Sequence, residues 1–296
     1  MMPVMTSEPV GRLLPVHDTE LFIAERGPAD GLPLIVLHGG PGLDHVEFAD
    51  YLDALADTYR LVLVDQRAQG RSRRDADPAT WTLQQLASDV SAVAAALGAE
   101  RYAVLGHSYG AFVALQHLAD APGASVATVV SGGIPASRFL DGVEEELASF
   151  QPESLRQQVA DSWAREATVT TEQECAQLMH DQMPFHFGNP LDPRIADYAR
   201  RTAAQRFAPD VLRHASLESG GMDFDVEERL THVPQPVLVL TGRLDRVCRV
   251  DAAERIAELV PDAELHVFEE SGHMTFVEQT DDYVAVVRRF LDRIPS

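Results

Sequence analysis

The chain has 296 residues, of which 45% are hydrophobic and 24% are charged, a composition typical of a globular protein and not of a disordered one. Its 46 acidic and 24 basic side chains give a formal net charge of −22, which repels nucleic-acid phosphates and anionic lipid headgroups. Composition and charge therefore disfavour a nucleic-acid partner and a peripheral membrane protein.

No part of the sequence has the pattern of a secretion signal or a membrane span. The N-terminal residues lack a basic stretch followed by an apolar core, and no window reaches the roughly 18 apolar residues of a spanning helix. The two cysteines, Cys175 and Cys248, lie far apart and give no basis for a disulfide framework, so a reducing compartment is compatible. We expect a cytoplasmic protein.

The chain opens with two short apolar runs, Leu13 to Val16 and Leu21 to Ala24, on either side of a polar turn from His17 to Glu20. This pattern predicts an antiparallel hairpin at the edge of a sheet. Six further apolar runs follow, and unbroken runs of this kind are typical of parallel strands that are covered on both faces. These runs are residues 34–37, 61–64, 102–105, 126–130, 237–240 and 265–268.

Segments with helical spacing of apolar residues lie between these runs. They are residues 48–56, 83–97, 111–118, 252–259 and 283–291. Alternation of strand and helix predicts an α/β fold with right-handed crossovers and a mostly parallel, doubly wound sheet. In such a sheet the ligand site lies outside the carboxyl ends of the strands.

One long region breaks the alternation. Residues 134–230 are rich in Glu, Gln, Arg and Ala, with helical patterning and no convincing strand. We interpret this region as a helical lid inserted into one sheet domain, which residues 1–133 and 231–296 form together.

A glycine-flanked serine follows the third of the buried-type runs in the sequence. Gly106-His107-Ser108-Tyr109-Gly110 stands between a predicted strand and a predicted helix, the context that a G-x-S-x-G nucleophile elbow requires. The glycines are needed because the serine sits on a sharp turn where a neighbouring Cβ would collide with the adjoining strand or helix. The pentapeptide alone occurs by chance in many chains, so the prediction depends on the residues that accompany it.

A serine hydroxyl needs a base within hydrogen-bond reach and a group that orients the base. Asp245 follows the strand predicted at 237–240, and His273 follows the strand predicted at 265–268. Each has a simpler interpretation, Asp245 as a helix cap and His273 as a solvated turn residue. The order Ser108, Asp245, His273 is nevertheless the order of an α/β-hydrolase fold, and it predicts a serine hydrolase.

A glycine-rich loop follows the strand predicted at 34–37. In His38-Gly39-Gly40-Pro41-Gly42 a backbone N–H can approach a substrate carbonyl oxygen, and the N–H after the nucleophile supplies a second donor. Gly40 and Tyr109 are the predicted oxyanion hole. A phosphate-binding loop is the alternative, but no Walker lysine follows this one.

These motifs resemble those of proline iminopeptidases within the α/β-hydrolases. Besides the loop at His38 to Gly42, the segment Asp65-Gln66-Arg67-Ala68-Gln69-Gly70-Arg71-Ser72 is similar to that family's D-Q-R-G-x-G-x-S, and Gly242 to Cys248 resembles its G-R-x-D-x-x-C. The resemblance implies release of an N-terminal residue, preferentially proline, from small peptides or amides through an acyl-enzyme on Ser108, with no cofactor and no metal.

The resemblance also implies acidic side chains, largely from the lid, that hold the charged amino group of the substrate. Where relatives of the tricorn-interacting aminopeptidase type place a glutamate after the catalytic aspartate, this chain has Arg246. Glu218 and Asp223, near the end of the predicted lid, are the candidates for that role, and a solvated acidic loop is the alternative.

Two other functions stay open at this point. An esterase, lactonase or amidase would use the same three residues on a small acyl substrate without an amine-binding carboxylate. A non-catalytic binding protein would keep the fold for ligand recognition, although the intact set of catalytic residue types argues against it. In each case the expected partner is a small molecule or a short peptide, and the oligomeric state is not predicted.

Overall fold

The predicted strands form one eight-stranded sheet in the computed structural model, which describes residues 11–217 and 223–295. Their order across the sheet is β1-β2-β4-β3-β5-β6-β7-β8. The pairs β1-β2 and β2-β4 are antiparallel, and the other neighbours are parallel, so the opening hairpin lies at one edge as predicted. The strands are β1 (Gly11–Val16), β2 (Thr19–Arg26), β3 (Pro33–Leu37), β4 (Arg60–Val64), β5 (Ala103–His107), β6 (Ala127–Ser131), β7 (Val237–Gly242) and β8 (Ala263–Phe268).

Both faces of this sheet are buried, which explains the unbroken apolar runs. Along β3, Ile35 and Leu37 join one hydrophobic core, while Leu34 and Val36 join another on the opposite face. Successive side chains of a strand point to opposite faces, so a strand between two cores has no polar face. The helices that pack on the sheet are α1 (Leu83–Ala96), α2 (Tyr109–Asp120), α9 (Val250–Leu259) and α11 (Thr280–Leu291), with the short α10 (Thr275–Glu278) before the last.

The prediction of a helix over residues 48–56 is wrong. The structure has two 3₁₀ turns instead, His45–Phe48 and Asp53–Asp57. Ala49 between them has a φ of 41°, outside the α region, and its carbonyl oxygen accepts a hydrogen bond of 2.7 Å from Arg26 Nη1. A continuous helix cannot pass through a residue in that conformation.

The region predicted as a lid is helical where the structure describes it, between β6 and β7. Its helices are α3 (Val143–Ser149), α4 (Glu153–Arg165), α5 (Glu172–His186), α6 (Arg194–Arg201), α7 (Pro209–Leu217) and α8 (Glu227–Leu230). The boundaries of a separate lid at residues 134 and 230 stay a prediction. No helix in the described ranges combines the length and apolarity needed to cross a bilayer.

Candidate active site

Ser108 occupies a sharp turn between β5 and α2, at the carboxyl end of the strand. Its φ of 52° and ψ of −119° lie in a region that residues with a side chain rarely adopt. A Cβ on Gly106 would collide with the carbonyl of Gly110, and a Cβ on Gly110 would lie 2.6 Å from the carbonyl oxygen of His38. Glycine is therefore required on both sides of the turn, for the reason that the sequence predicted.

Asp245 and His273 form a buried pair. His273 Nδ1 donates to Asp245 Oδ2 over 2.7 Å, and both side chains are almost completely inaccessible to solvent. Asp245 Oδ1 accepts from the backbone N–H groups of Val247 and Cys248 at 2.8 and 2.9 Å. Because both of its carboxylate oxygens accept hydrogen bonds, Asp245 is fixed in place. It binds the imidazole of His273 through Nδ1, so Nε2 of His273 takes no part in this hydrogen bond.

Ser108 and His273 line the same cavity, whose volume is about 650 Å³. Gly132 leaves room for the His273 ring. A Cβ atom on residue 132 would lie 3.0 Å from His273 Cε1 and 3.7 Å from Asp245 Oδ2. The structure thus brings the three residues predicted as nucleophile, base and orienting acid to one end of the sheet.

The surroundings of His273 favour its protonated form more than water does. Burial alone would lower the pKa of His273, but the charge of Asp245 and its hydrogen bond raise it, and Glu47 and Glu278 act in the same direction. The rings of His107 and His186 lie 4.9 and 5.5 Å from the His273 ring, centroid to centroid. Burial lowers the pKa of both neighbours, that of His186 to about 4, so they pack against His273 as neutral rings.

Gly40 also lines the cavity, and its φ of 114° requires glycine. Tyr109 is the first residue of α2, where a helix leaves its N–H groups without intrahelical partners. Within the described residues, neither the Gly40 N–H nor the Tyr109 N–H donates to a backbone carbonyl. Both predicted oxyanion donors are therefore free of a backbone acceptor, and their role stays a prediction.

The segment after β4 holds the glycine loop in place. Gln69 Oε1 accepts from the Gly42 N–H over 2.6 Å, and Gln66 Nε2 donates to the carbonyl of His38 over 2.8 Å. His38 Nε2 accepts from the Gln66 N–H at 3.1 Å, so this buried histidine is neutral, and burial lowers its pKa to about 4. The motif that carries the family resemblance at Asp65 to Ser72 thus acts by positioning the loop.

A buried cluster of Asp44, His45 and Asp65 lies beside the same loop. Asp65 accepts from the backbone N–H and the ring Nδ1 of His45 and from the Arg71 N–H, at 2.9, 2.5 and 2.7 Å. Asp44 Oδ2 accepts from the Arg206 N–H at 2.9 Å. Backbone N–H groups thus donate to both aspartates. Through the hydrogen bond from Arg206 to Asp44, the cluster connects the segment after the glycine loop to the segment before α7.

Glu47 is a feature of the site that the sequence did not indicate. Its carboxyl is buried, lines the cavity and accepts from the Gly39 N–H at 2.5 Å through Oε2. Burial raises the pKa of Glu47 to about 7, against the opposite effects of the Gly39 N–H and His273. No motif marks this glutamate, which lies in the 3₁₀ turn His45–Phe48.

A second carboxyl, Glu166, reaches the cavity from the helical region. Its Oε1 accepts from Gln182 Nε2 over 2.7 Å, and burial raises its pKa. The rest of the lining is mainly apolar, including Phe112, Trp163 and Met179, and among the described residues no arginine lines the cavity. A cavity with two carboxyls and no arginine suits a ligand that is apolar and carries a positive charge.

The structure does not bring Asp223, one of the two tentative substrate-binding residues, to this cavity. Asp223 is exposed, and its carboxylate accepts only a long hydrogen bond of 3.4 Å from Ser137 Oγ among the described residues. It does not line the cavity, so its position gives no support to a role in substrate binding. Glu218 lies outside the described residues.

Arg246 contacts the end of helix α5. Its guanidinium donates to the carbonyls of Phe185, Phe187 and Gly188, at 3.2, 2.7 and 3.2 Å, where α5 ends. The carbonyl groups at a helix C-terminus lack intrahelical partners and carry partial negative charge, which favours a cation there. The guanidinium of Arg246 is therefore held by the carbonyl groups at the end of α5.

We predict that Arg246→Ala lowers the free energy of unfolding by about 2 kcal/mol, because three carbonyls lose a charged donor. Arg243→Ala is the matched control, since Arg243 forms an exposed ion pair with Glu269 at 2.8 Å, and such pairs contribute about 0–1 kcal/mol. Urea denaturation of both variants measures the difference. Equal losses in the two variants would contradict the assigned contacts.

The comparisons with known proteins agree with the fold described above. A family model described as alpha/beta hydrolase fold matches residues 33–280. The proline iminopeptidase of Xanthomonas citri is 29% identical, over 97% of each chain. The crystal structure of a proline iminopeptidase from Mycobacterium smegmatis is 26% identical and has a TM-score of 0.73 over 96% of this chain and 98% of that one. The esterase RhEst1 from Rhodococcus sp. ECU1013 is 27% identical, with a TM-score of 0.68 over 96% and 99%. The chain belongs to the α/β hydrolase fold family.

Proposed function

We propose that the protein is a serine hydrolase in which Ser108 is the nucleophile, His273 the general base and Asp245 the residue that orients His273. One observation carries this proposal: the buried Asp245–His273 pair borders a cavity that also contains a serine held at a strained strand-to-helix turn. Family membership supports the same chemistry.

The chemistry would use only the chain's own groups and water. Ser108 Oγ attacks the substrate carbonyl carbon while His273 Nε2 accepts the hydroxyl proton, and the charge of Asp245 stabilises the resulting imidazolium. The Gly40 and Tyr109 N–H groups donate to the oxyanion. His273 then returns the proton to the leaving group, and a water molecule, activated in the same way, releases the acyl group from Ser108.

The substrate that we propose is a peptide or small amide with a free N-terminal amine, so that the enzyme is an aminopeptidase of the iminopeptidase type. The similarity to named proline iminopeptidases supports this, as do the carboxyls of Glu47 and Glu166 in a cavity without a described arginine. A cytoplasmic location stays a prediction from the sequence.

An esterase, lactonase or amidase is the second candidate. The mainly apolar lining and the similarity to an esterase favour it, since apolar acyl groups need no charged partner. The two candidates differ in whether the substrate must carry a free amine.

We predict that the protein hydrolyses the p-nitroanilides of proline or alanine and that N-acetylation of either lowers kcat/KM by on the order of 100-fold or more, because a buried carboxylate then loses its charged partner. Absorbance assays with the free and acetylated forms measure this. An acetylated substrate that is cleaved as fast as the free one would exclude the aminopeptidase and leave the esterase or amidase.

We also predict that inactivation by a fluorophosphonate slows as the pH falls through the pKa of His273, because a protonated imidazole cannot accept the serine proton. Since Asp245 raises that pKa, the midpoint should lie above the ordinary histidine value of about 6.5. Asp245→Asn removes the negative charge, so its midpoint should shift to lower pH while the rate drops. The exposed Asp30→Asn is the control, and an Asp245→Asn profile that matched it would be inconsistent with the pairing.

A further inference from the structure

We propose that Glu47, which no motif identifies, is the residue that binds the α-ammonium group of the substrate, and that it does so from the sheet domain and directly beside the nucleophile. This inference deepens the proposed function and rests on it. It assigns substrate specificity to the 3₁₀ turn after the glycine loop, and not to the lid alone.

The first argument concerns distance. In an N-terminal residue the amino nitrogen and the carbonyl carbon share one Cα atom and lie about 2.5 Å apart. When Ser108 Oγ attacks that carbonyl carbon, the ammonium group must therefore lie next to the Ser108 side chain. Any carboxylate that binds it has to reach the same small volume.

Glu47 meets this requirement. A Cβ on Gly39 would lie 2.8 Å from Glu47 Oε1 and 3.2 Å from Ser108 Cβ, so one added methyl group would touch both residues. For Glu166, the other carboxyl of the cavity, no contact among the described residues shows the same closeness to Ser108. Its carboxylate instead accepts a hydrogen bond from Gln182 on α5. Glu47 is therefore the cavity carboxyl that is adjacent to the reacting carbonyl.

The second argument concerns the bonds that Glu47 has already made. Its Oε2 accepts from the Gly39 N–H, which fixes the side chain, whereas Oε1 accepts no hydrogen bond from the described residues and belongs to a side chain that lines the cavity. Among the described residues, the charged groups that act on the pKa of Glu47 are His273, which lowers it, and Asp44, which raises it, and no arginine is among them. His273 must be neutral to act as the base, so a buried Glu47 carboxylate then lacks a cationic partner, and a ligand ammonium supplies one.

The third argument concerns the charge that develops during the reaction. A carboxylate beside the oxyanion would oppose its formation, because like charges repel strongly in a site that excludes water. A bound ammonium cancels the charge of Glu47 before the oxyanion forms. Substrates without a cation leave the repulsion in place, so the same glutamate both binds the correct substrate and disfavours the others.

The test is Glu47→Gln, because glutamine keeps an oxygen that can accept from the Gly39 N–H and removes only the charge. We expect kcat/KM for proline or alanine p-nitroanilide to fall on the order of 100-fold more than kcat/KM for p-nitrophenyl acetate, which has no amine. Glu278→Gln is the matched control. Glu278 is also buried and accepts from the Gly188 and Gly272 N–H groups at 2.8 Å each, next to His273, but it does not line the cavity. Its effect should be the same on both substrates.

Equal effects of Glu47→Gln on the two substrates would overturn the inference and reduce Glu47 to a residue that positions the glycine loop. Failure of the proposed aminopeptidase activity is detected separately, in the wild-type protein, by the absence of p-nitroanilide cleavage. In that case protection still decides: pyrrolidinium should slow fluorophosphonate labelling of the wild type and have at least about tenfold less effect on Glu47→Gln. Identical protection of both proteins, or protection of neither, would contradict cation binding by Glu47.

Discussion

The strained turn at Ser108 is the constraint on which the rest of the site depends. A non-glycine residue at a φ of 52° and a ψ of −119° costs on the order of 1–3 kcal/mol, which the buried strand β5 and helix α2 must offset. The turn places Ser108 on the wall of the cavity and begins α2 at the next residue. Gly106 and Gly110 allow β5, α2 and the glycine loop to meet at that point without steric conflict.

The helical region and the proposed base are directly connected. The His273 N–H donates to the carbonyl of His186 at 2.7 Å, and Glu278 accepts from both Gly188 and Gly272. Arg246, which follows β7, adds a further contact by donating to the carbonyls at the end of α5. A displacement of α5 would therefore alter the position of the imidazole, so the helical region between β6 and β7 supports the proposed base and also forms part of the cavity wall.

The sequence predicted the features that follow from local patterns. Buried parallel strands are recognisable from apolar runs, and Ser108, Asp245 and His273 are recognisable because each follows such a run in a known order. The sequence could not locate Glu47, because no motif surrounds it and its burial arises from tertiary packing. The apolar spacing that follows it predicts a helix, which the positive φ of Ala49 interrupts. The sequence pointed to acidic residues by their position in the chain. The carboxyls that line the cavity are placed there by tertiary packing, which a sequence pattern does not show.

The most direct measurement of the central claim is the site of covalent labelling. The protein is treated with a fluorophosphonate, and the modified residue is located by peptide mass spectrometry, with Ser108→Ala and its thermal unfolding measured in parallel. The account predicts one adduct on Ser108 and a folded but unlabelled and inactive variant. Labelling at another residue, or full activity in Ser108→Ala, would contradict it.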